Sequence, residues 1–505
     1  MTSDTISEKF TNRIPDEVML IIETLEQAGF EAWLTGGCVR DLILERAPSD
    51  WDIASDATPS EVMKLFERTV DIGGRHGTIA VMLPIINSAI KRPGISPGTN
   101  SGTNSETTSA ASGIILKDTL SNQKNVILSE YSWFACEVTT FRTEGQYSDG
   151  RRPDFVRFSS SISEDLLRRD FTINAMAYHP ARGLFDPFNG IDDIALRLIR
   201  TCGDPFARFK EDALRMLRAV RFAAVLDFDI EENSLAAIKS NKALAGLIDN
   251  ISAERLRDEL TKLLISQNSG KFALLYECGI LDHILPEIVP CFSTPQNTPH
   301  HICNVICHIL LSVAVIEPLP HLRWAMLLHD IAKPETRTTD QDGIDHFYGH
   351  AAKGKIIAET VLRRLKFDNQ SISLISKLVE FHGLNIETTT TGVKKTVKMI
   401  AGAGIDFLEL MKVREADKRA QNPAMLAPKL EKIVKLREIY MEILAEGSCI
   451  SLNNLAIDGN DLLAYGIPEG PEIGRILNDL LELVLENPAL NEKSILIDKI
   501  KNMTS

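Results

Sequence analysis

The stretch LTGGCVRDLILERAPSDWD, residues 34–52, decides the fold of the N-terminal part of the chain. Its glycines, Gly36 and Gly37, allow the backbone to approach a phosphate closely. Asp50 and Asp52 are two apart, and side chains two apart on a strand point to the same side. We therefore expect the two aspartates to hold divalent cations on the same face as a phosphate-binding turn. This arrangement predicts transfer of a nucleotidyl group, with Mg²⁺ as the best-fitting ion.

Two further residues belong to this predicted site. A third carboxylate often completes a two-metal site, and Glu137, on a later predicted strand, is the candidate. Its alternative role is that of a solvated strand residue. Arg40 can add a charge-assisted contact to a phosphate. Without the aspartates, Gly36 and Gly37 would indicate no more than a tight turn.

The segment Glu164–Ala177, EDLLRRDFTINAMA, adds candidate nucleotide ligands. Arg168 and Arg169 are adjacent and project differently, so one can reach a triphosphate while the other pairs with Asp170. Asn174, four residues after Asp170, is a candidate for contact with a ribose or a phosphate. The alternative for Asp170 is a structural role as a salt-bridge partner.

The segment Phe209–Ala223, FKEDALRMLRAVRFA, indicates how a nucleobase can be selected. On a helix, Asp212 and Arg215 share a face, and a carboxylate accepts hydrogen bonds whereas a guanidinium donates them. Cytosine and adenine each present an amino donor beside a ring-nitrogen acceptor, and guanine and uracil present the reverse. The pair therefore favours C and A, because each mispaired buried group costs roughly 1–3 kcal/mol. The alternative is an exposed helical ion pair, the commoner fate of this spacing.

A second constellation lies further along the chain, at His308, at His329 with Asp330, and at Asp417. This pattern on consecutive helices resembles that of the HD phosphohydrolases. Eight of the eleven histidines lie between residues 300 and 382, which favours metal binding over scattered structural roles. Because imidazole suits transition metals and carboxylate tolerates Mg²⁺, the sequence does not fix the ion. Whether this site is catalytic also stays open.

Bulk properties narrow the class of protein. A chain of 505 residues is too long for one core, and 44% hydrophobic with 25% charged residues is a balance typical of soluble globular proteins. A net charge of −14 argues against an indiscriminate nucleic-acid coat. We see no membrane-spanning run and no signal peptide, and the eight scattered cysteines favour a reducing cytoplasm. The oligomeric state cannot be predicted.

The periodicity predicts an α+β protein. Residues 1–160 form a head with a small mixed sheet, and from Ile162 onward the chain is almost wholly helical apart from a short strand near Leu184–Asp186. We divide the helical part into a neck (161–290), a metal-binding domain (300–425) and a tail (426–505). The predicted strands of the head sheet are Glu31–Thr35, Trp51–Ala54, Ile79–Leu83, Glu137–Phe141 and Phe155–Phe158.

An insertion of about residues 88–125 interrupts the head. Its centre, Pro93–Gly113, has 15 Ser, Thr, Gly or Pro residues among 21. Such a composition buries too little apolar surface to offset chain entropy. We expect a mobile insertion between two strands, for which no role can be assigned.

The motifs GGCVRD with DWD, LLRRDFTINAMA and EDALRMLRAVRFAA occur in the order found in class II nucleotidyltransferases. From about Ile14 onward, the chain resembles the bacterial CCA-adding enzymes (tRNA nucleotidyltransferases) that carry an HD domain. The resemblance implies a polymerase-beta-like palm in the head. It also implies that Asp50 and Asp52 are metal ligands and that Arg169 and Asp170 bind the ribose and the nucleotide. Glu211, Asp212 and Arg215 would form an amino-acid template that selects CTP and then ATP. Residues 142–152 would be a flexible loop in the switch from C to A, and residues 251–260 would brace the neck.

The resemblance implies template-independent addition of C, C and A to a tRNA 3′ end, with release of pyrophosphate. The implied partners are tRNA, CTP and ATP, without a membrane. A poly(A) polymerase is an alternative, although the tail from Met441 is acidic where a processive RNA binder should be basic. A partial enzyme that adds CC or A is another alternative, and the complete DGRR loop motif disfavours the CC-adding form. A third is an HD phosphohydrolase with a degenerate RNA-binding head.

Overall fold

The computed structural model describes residues 10, 12–73, 77–85, 133–144, 156–239, 242–401, 404–446 and 452–504. The predicted insertion at Pro93–Gly113 and residues 145–152 of the predicted loop lie outside the described residues. Contacts divide the chain into two compact units. The first comprises residues 1–146 and 153–196, and the second comprises residues 147–152 and 197–505.

The first unit is built on a seven-stranded mixed sheet with the strand order β3-β4-β5-β2-β1-β8-β9. Its strands are β1 (Ala32–Thr35), β2 (Asp52–Ser55), β3 (Thr69–Gly73), β4 (Thr78–Pro84), β5 (Trp133–Thr140), β8 (Ala177–His179) and β9 (Gly183–Phe185). All four residues of β1 are buried, as expected of a strand with neighbours on both sides. The pairs in this sheet are antiparallel except β2 with β5, which run parallel.

Two predictions about the head need correction. The strand predicted at Phe155–Phe158 is β7 (Val156–Phe158), which pairs with β6 (Arg142–Glu144) in a separate two-stranded sheet and not in the main one. The head also extends past residue 160, because β8 pairs with β1 and β9 pairs with β8. Short strands such as β8 carry too few residues to reveal an alternating pattern.

The described residues of the first unit form five helices along with these strands. They are α1 (Asp16–Gln27), α2 (Gly37–Ile43), α3 (Pro59–Leu65), α4 (Ile162–Leu167) and α5 (Gly190–Ala195). The longest, α1, buries Val18, Ile21, Ile22 and Leu25, which recur at the spacing of one helical face. The predicted amphipathic helix at Ile14–Ala28 is thus confirmed within two residues.

The second unit is mainly helical. Its helices are α6 (Pro205–Glu211), α7 (Leu214–Leu226), α8 (Glu232–Lys239), α9 (Lys242–Gly246), α10 (Ala253–Leu264), α11 (Ala273–Glu277), α12 (Leu281–Ile284), α13 (Val305–Val315), α14 (Pro320–Leu328), α15 (Lys333–Thr336), α16 (His350–Arg364), α17 (Asn369–Phe381), α18 (Thr390–Ala401), α19 (Phe407–Arg419), α20 (Leu426–Ala445), α21 (Gly459–Ala464), α22 (Pro471–Glu486) and α23 (Lys493–Thr504). Two small sheets that the sequence analysis missed are β10 (Leu198–Ile199) with β11 (Asp229–Ile230), and β12 (Thr338–Thr339) with β13 (Asp345–His346).

Buried contacts fix the neck helices of the second unit to one another. In α7 most side chains are buried, and Arg221 of this helix pairs with the buried Glu259 of α10 at 2.5 Å. The indole nitrogen of Trp324, a fully buried residue in α14, donates to Thr261 Oγ1 of α10 at 2.9 Å. The first contact involves residues 251–260, whereas Thr261 and Trp324 lie outside this segment, and its role as a brace for the neck stays a prediction.

The tail has a hydrophobic cluster of its own. Its buried members come from α21, α22, α23 and the segment before them: Ile457, Leu462, Ile476, Leu480, Leu481, Val484, Leu496 and Ile500. Within the described parts of the chain, no helix is long and apolar enough to cross a membrane.

Gly190, the first residue of α5, allows a close packing contact in the first unit. A Cβ at this position would lie far inside the van der Waals distance of the Thr172 carbonyl oxygen and 3.0 Å from Met176 Sδ. We expect Gly190→Ala to lower the free energy of unfolding by about 1–3 kcal/mol, as overpacking does. Urea denaturation followed by circular dichroism will measure this. Gly270→Ala is the control, because a Cβ there meets nothing within 4 Å; an equal loss in both variants would contradict the explanation.

Candidate active site

Gly36 connects β1 to α2 and creates the space in which the predicted site assembles. Its φ of 78° lies in the region that favours glycine. A Cβ on Gly36 would lie 2.6 Å from Arg169 Nη1 and 3.6 Å from Asp52 Oδ2. Arg169 also donates through Nη2 to Thr35 Oγ1 at 2.8 Å. The structure therefore brings the predicted glycine turn, Arg169 and Asp52 together. Gly37 begins α2, where a Cβ would make an ordinary 3.6 Å contact with Arg40.

The three predicted carboxylates cluster around the start of β2. In the parallel pair of β2 and β5, Asp52 lies opposite Glu137. Asp50, by contrast, lies in a bend before the strand, where Ser49 donates to its carboxylate at 2.9 Å. The expectation that Asp50 and Asp52 share one strand was therefore wrong, because β2 begins at Asp52 and not at Trp51.

The charges of these carboxylates nevertheless act on one another. Burial raises the pKa of Asp52, the Arg169 guanidinium opposes this shift, and the charge of Asp50 adds to it. Partial burial and the charges of Asp52 and Asp50 raise the pKa of Glu137. Such repulsion among carboxylates is the condition that a bound cation relieves. The donor set is oxygen alone, and it fits a hard divalent ion.

Asp165 holds both arginines of the RRD motif, and the sequence analysis did not consider it. Its side chain is fully buried in α4. Arg168 contacts Asp165 Oδ1 at 2.9 and 2.7 Å through two nitrogens, and Arg169 Nη2 lies 3.4 Å from Asp165 Oδ2. Burial alone would raise the pKa of Asp165, but the two guanidiniums outweigh it and hold this pKa below its ordinary value. The spacing of three and four residues before the arginines was the available signal.

A buried polar network joins Asp170, Asn174 and Arg40. The Asn174 amide donates to Asp170 Oδ1 at 3.1 Å, and Arg40 Nη1 donates to Asn174 Oδ1 at 2.7 Å. Arg40 also donates through Nε to Asp41 at 2.9 Å. Three predicted nucleotide ligands from distant parts of the head therefore form one hydrogen-bonded group.

Asp212 and Arg215 lie in the second unit, at a break between two helices. Helix α6 ends at Glu211 and α7 begins at Leu214, so the prediction that both residues lie on one helix was wrong. The break arises at Asp212, whose φ of −135° and ψ of 104° are extended and whose Oδ1 accepts from the Leu214 amide at 3.0 Å.

Each residue of this pair also contacts a third residue. Arg215 Nη1 donates to Glu211 at 2.6 Å, and Arg255 of α10 donates to Asp212 Oδ2 at 2.9 Å. Glu211 was expected from the resemblance, whereas Arg255 was not singled out.

A second cluster of metal-ligand residues lies deeper in the second unit. His308 of α13, His329 and Asp417 of α19 form a group whose ligand atoms all lie within 4.8 Å of one another. Asp330, His350 and His382 form a second such group. Asp330 joins them, because Oδ2 lies 3.3 Å from His308 Nε2 and 3.2 Å from His329 Nε2, whereas Oδ1 lies 3.5 Å from His350 Nε2 and 3.8 Å from His382 Nε2.

The same nitrogen of each of the four imidazoles is held by a backbone carbonyl. Each places Nδ1 against a backbone carbonyl, at 3.2 Å for His308, 2.7 Å for His329, 2.6 Å for His350 and 2.7 Å for His382. If Nδ1 carries the proton, the Nε2 lone pairs point inward, the arrangement that metal-binding histidines use. Burial also lowers the pKa of His382 to about 3 and keeps it neutral. The donor set therefore fits metal binding, and it adds His350 and His382 to the predicted ligands His308, His329, Asp330 and Asp417.

Known family models match three parts of the chain. A model described as the poly A polymerase head domain matches residues 32–92 and 100–200. A probable RNA- and SrmB-binding site of polymerase A matches residues 227–292, and a putative tRNA nucleotidyltransferase domain 2 matches residues 350–500. With the mixed sheet and its paired carboxylates, these matches define a nucleotidyltransferase.

Relatives match nearly the whole chain. A CCA-adding enzyme of Lactobacillus helveticus (strain DPC 4571) is 32% identical over 94% of this chain and 95% of its own length. One of Geobacillus sp. (strain WCH70) is also 32% identical, over 94% and 93%. The chain belongs to the family of CCA-adding enzymes.

Solved structures agree with this family. The Bacillus stearothermophilus CCA-adding enzyme in complex with CTP is 26% identical, with a TM-score of 0.58 over 97% of this chain and 98% of that chain. An apo form of a CCA-adding enzyme has a TM-score of 0.51 at 18% identity, over 98% of this chain and 97% of that chain, and supports the fold alone.

Removal of the Asp165 charge will test whether its ion pairs with Arg168 and Arg169 stabilise the first unit. We expect Asp165→Asn to lower the free energy of unfolding by about 2–4 kcal/mol, since it leaves two partly buried guanidiniums without their counter-charge. Because the pKa of Asp165 is lowered on folding, its stabilisation is complete above about pH 4 and declines as the pH falls further. Urea denaturation at several pH values will measure the difference. The exposed neighbour Glu164, replaced by Gln, is the control; a difference that grows below pH 4 would contradict the assignment.

Proposed function

We propose that the protein adds C, C and A, in that order, to the 3′ end of tRNA, with CTP and ATP as donors. The observation that carries this proposal is the register of Asp52 with Glu137 beside Gly36 and Arg169. Family membership over 94% of the chain supports the tRNA acceptor. The CCA-adding activity for which the relatives are named, and the CTP complex of the Bacillus stearothermophilus enzyme, support the nucleotides.

In the proposed reaction, the 3′ hydroxyl of the tRNA attacks the α-phosphorus of the nucleotide, and pyrophosphate leaves. Asp50, Asp52 and Glu137 would hold Mg²⁺, which supplies positive charge for the triphosphate and the attacking hydroxyl when bound. Arg169, fixed by Asp165 and Thr35, contributes a guanidinium for a phosphate oxygen. The network of Asn174 with Asp170 and Arg40 orients the sugar and phosphates.

In this proposal, Asp212 and Arg215 select C and A. The carboxylate accepts from the exocyclic amino group, and the guanidinium donates to the ring nitrogen. U and G would place acceptor against acceptor and donor against donor. A poly(A) polymerase is disfavoured because this pair suits C as well as A, and because the tail is acidic from Met441. We place the reaction in the cytoplasm, since the seven cysteines within the described parts of the chain are free thiols.

Labelled nucleotides will test this proposal. Purified protein is given tRNA that lacks CCA together with each labelled nucleoside triphosphate, alone or in pairs. We expect two C residues from CTP alone, no addition from ATP alone, and CCA from both. Incorporation of C alone under all conditions, or of A without C, would indicate a partial enzyme. Long A tails would overturn the proposal.

Substitutions will test the metal ligands. We expect Asp52→Asn and Asp50→Ala each to lower the rate of addition by at least about 10³-fold, because loss of several kcal/mol of charge stabilisation corresponds to this factor. Glu137→Gln tests the third ligand in the same assay. Glu67→Gln removes an exposed carboxylate of the same unit and should leave the rate unchanged. Full activity without Asp52 would contradict the assignment.

A second proposed activity is hydrolysis of a phosphate ester at the cluster around Asp330. The supporting observation is that four imidazoles and two aspartates converge with their Nε2 atoms and carboxylate oxygens. A metal ion held there would polarise a phosphate ester and a water molecule. Lys333, buried and 2.6 Å from Asp330 Oδ2, adds a positive charge for a phosphate.

Metal content gives a test that does not depend on activity. After equilibration with Ni²⁺, Mn²⁺ or Mg²⁺ and removal of free ions, we expect the protein to retain one or two ions at this cluster, measured by mass spectrometry. Asp330→Ala should lose them, and it should lose hydrolysis of a 2′,3′-cyclic nucleotide. His321→Ala is the control, because this histidine pairs with Glu409 outside the cluster. Retention of every ion by the Asp330 variant would contradict the site.

A further inference from the structure

Arg255 of α10 makes a contact that bears on nucleotide selection. Its Nη2 atom lies 2.9 Å from Oδ2 of Asp212, 43 residues earlier in the chain. The other oxygen of the same carboxylate, Oδ1, accepts from the Leu214 amide at 3.0 Å. Each oxygen of Asp212 is therefore held by a different donor.

Two donors restrict the carboxylate where one would not. The last torsion of an aspartate is broad and roughly two-fold, so a single hydrogen bond leaves the plane of the carboxylate variable. The Leu214 amide fixes Oδ1, and Arg255 then determines where Oδ2 and its remaining lone pair point. A carboxylate offers about four acceptor positions. Two of them stay available for the amino group of a nucleobase.

Burial makes this contact more than a surface ion pair. The Asp212 side chain is 16% exposed, whereas that of Arg255 is 37% exposed. The aspartate has little water to hold its charge, so its orientation depends on protein donors. Arg255 itself is exposed enough that its removal leaves no buried cavity.

The Arg215 guanidinium is also fixed by a neighbouring side chain, that of Glu211. Glu211 accepts from Arg215 at 2.6 Å and from Arg208 at 2.9 Å through the same oxygen. The acceptor and the donor of the pair thus have separate partners. Arg255 comes from another helix, whereas Glu211 lies directly beside Asp212.

We propose that Arg255 is a positioning residue that sets the preference for C and A over U and G by fixing the Asp212 carboxylate. The inference rests on the proposed function and names a residue that acts through Asp212 without touching the nucleotide. Loss of Arg255 lets the carboxylate rotate about its last torsion. The correct base then loses a well-aligned acceptor, and the penalty against uracil falls.

Steady-state kinetics will test the proposal with the full-length protein and tRNA that lacks CCA. The measured quantity is the ratio of kcat/KM for CTP to that for UTP. We expect Arg255→Ala to lower this ratio by roughly tenfold, a typical effect of one misaligned hydrogen bond to a charged group. The change should come mainly from a higher KM for CTP. Arg255→Lys, which retains the charge, should restore part of the ratio.

Arg257→Ala is the matched control. Arg257 lies two residues further along the same helix, but it contacts Asp258 and the Lys366 carbonyl oxygen instead of Asp212. We expect an unchanged ratio in this variant. A fall equal to that of Arg255→Ala would overturn the proposal, because it would indicate a general effect of charge or helix stability.

A double substitution distinguishes an effect of Arg255 on the Asp212 carboxylate from a general effect of Arg255 on the stability of the neck helices. In an Asp212→Asn background, Arg255→Ala should change the CTP to UTP ratio no further, because the residue it positions is already altered. Independent, additive effects would overturn the proposal. If Arg255→Ala fails to fold, as judged by its melting temperature, Arg255→Met replaces it, because methionine keeps most of the side-chain length without an N–H donor for Asp212. Absence of C addition by the wild-type protein would instead refute the proposed function itself.

Discussion

The parallel pairing of β2 with β5 is the constraint on which the catalytic centre of the head depends. It places Asp52 opposite Glu137, so two negative charges lie side by side in a partly buried position. Such a pairing costs free energy unless positive charge offsets it. Arg169 offers part of that charge from across Gly36, and Asp165 holds Arg169 in turn. Negative and positive side chains therefore alternate from Asp52 and Glu137 in the sheet through Arg169 to Asp165 in α4. A cation bound at Asp52 and Glu137 would offset the negative charge that Arg169 leaves uncompensated.

Short-range patterns predicted the chemistry better than the geometry. Gly36 with Asp52 and Asp212 with Arg215 could be found because each pair lies within one short stretch of sequence, residues 36–52 and 212–215. The position of Asp50 could not, since the start of β2 depends on pairing with β1 and with the distant β5. The separate sheet of β6 and β7 depends in the same way on partners that are far apart in sequence.

Capping hydrogen bonds and ion pairs explain other differences between the predictions and the structure. The break between α6 and α7 follows from the side chain of Asp212, which bonds the Leu214 amide and competes with the helix. Asp165 was overlooked because a carboxylate in a helix is usually solvated, and its burial becomes evident only with Arg168 and Arg169 folded around it. Arg255 contacts Asp212 across 43 residues, a separation that no local pattern encodes. The histidines around Asp330 were recognised by their density, yet it is contacts of Nδ1 with backbone carbonyls that turn their Nε2 atoms toward the aspartates.

The hydrophobic cluster of the tail is a local core for the last fifty residues, and Ala401 of α18 also packs against it. Its buried side chains come from α21, α22, α23 and the segment before them, so these helices can lose their packing together. Regions with their own cooperative core open with a free energy below that of global unfolding. The backbone amides of the tail should then exchange with solvent as one group, at a rate unlike that of the head. Substitutions that adapt the tail to a different temperature can therefore accumulate without disturbing the carboxylates that carry out the chemistry.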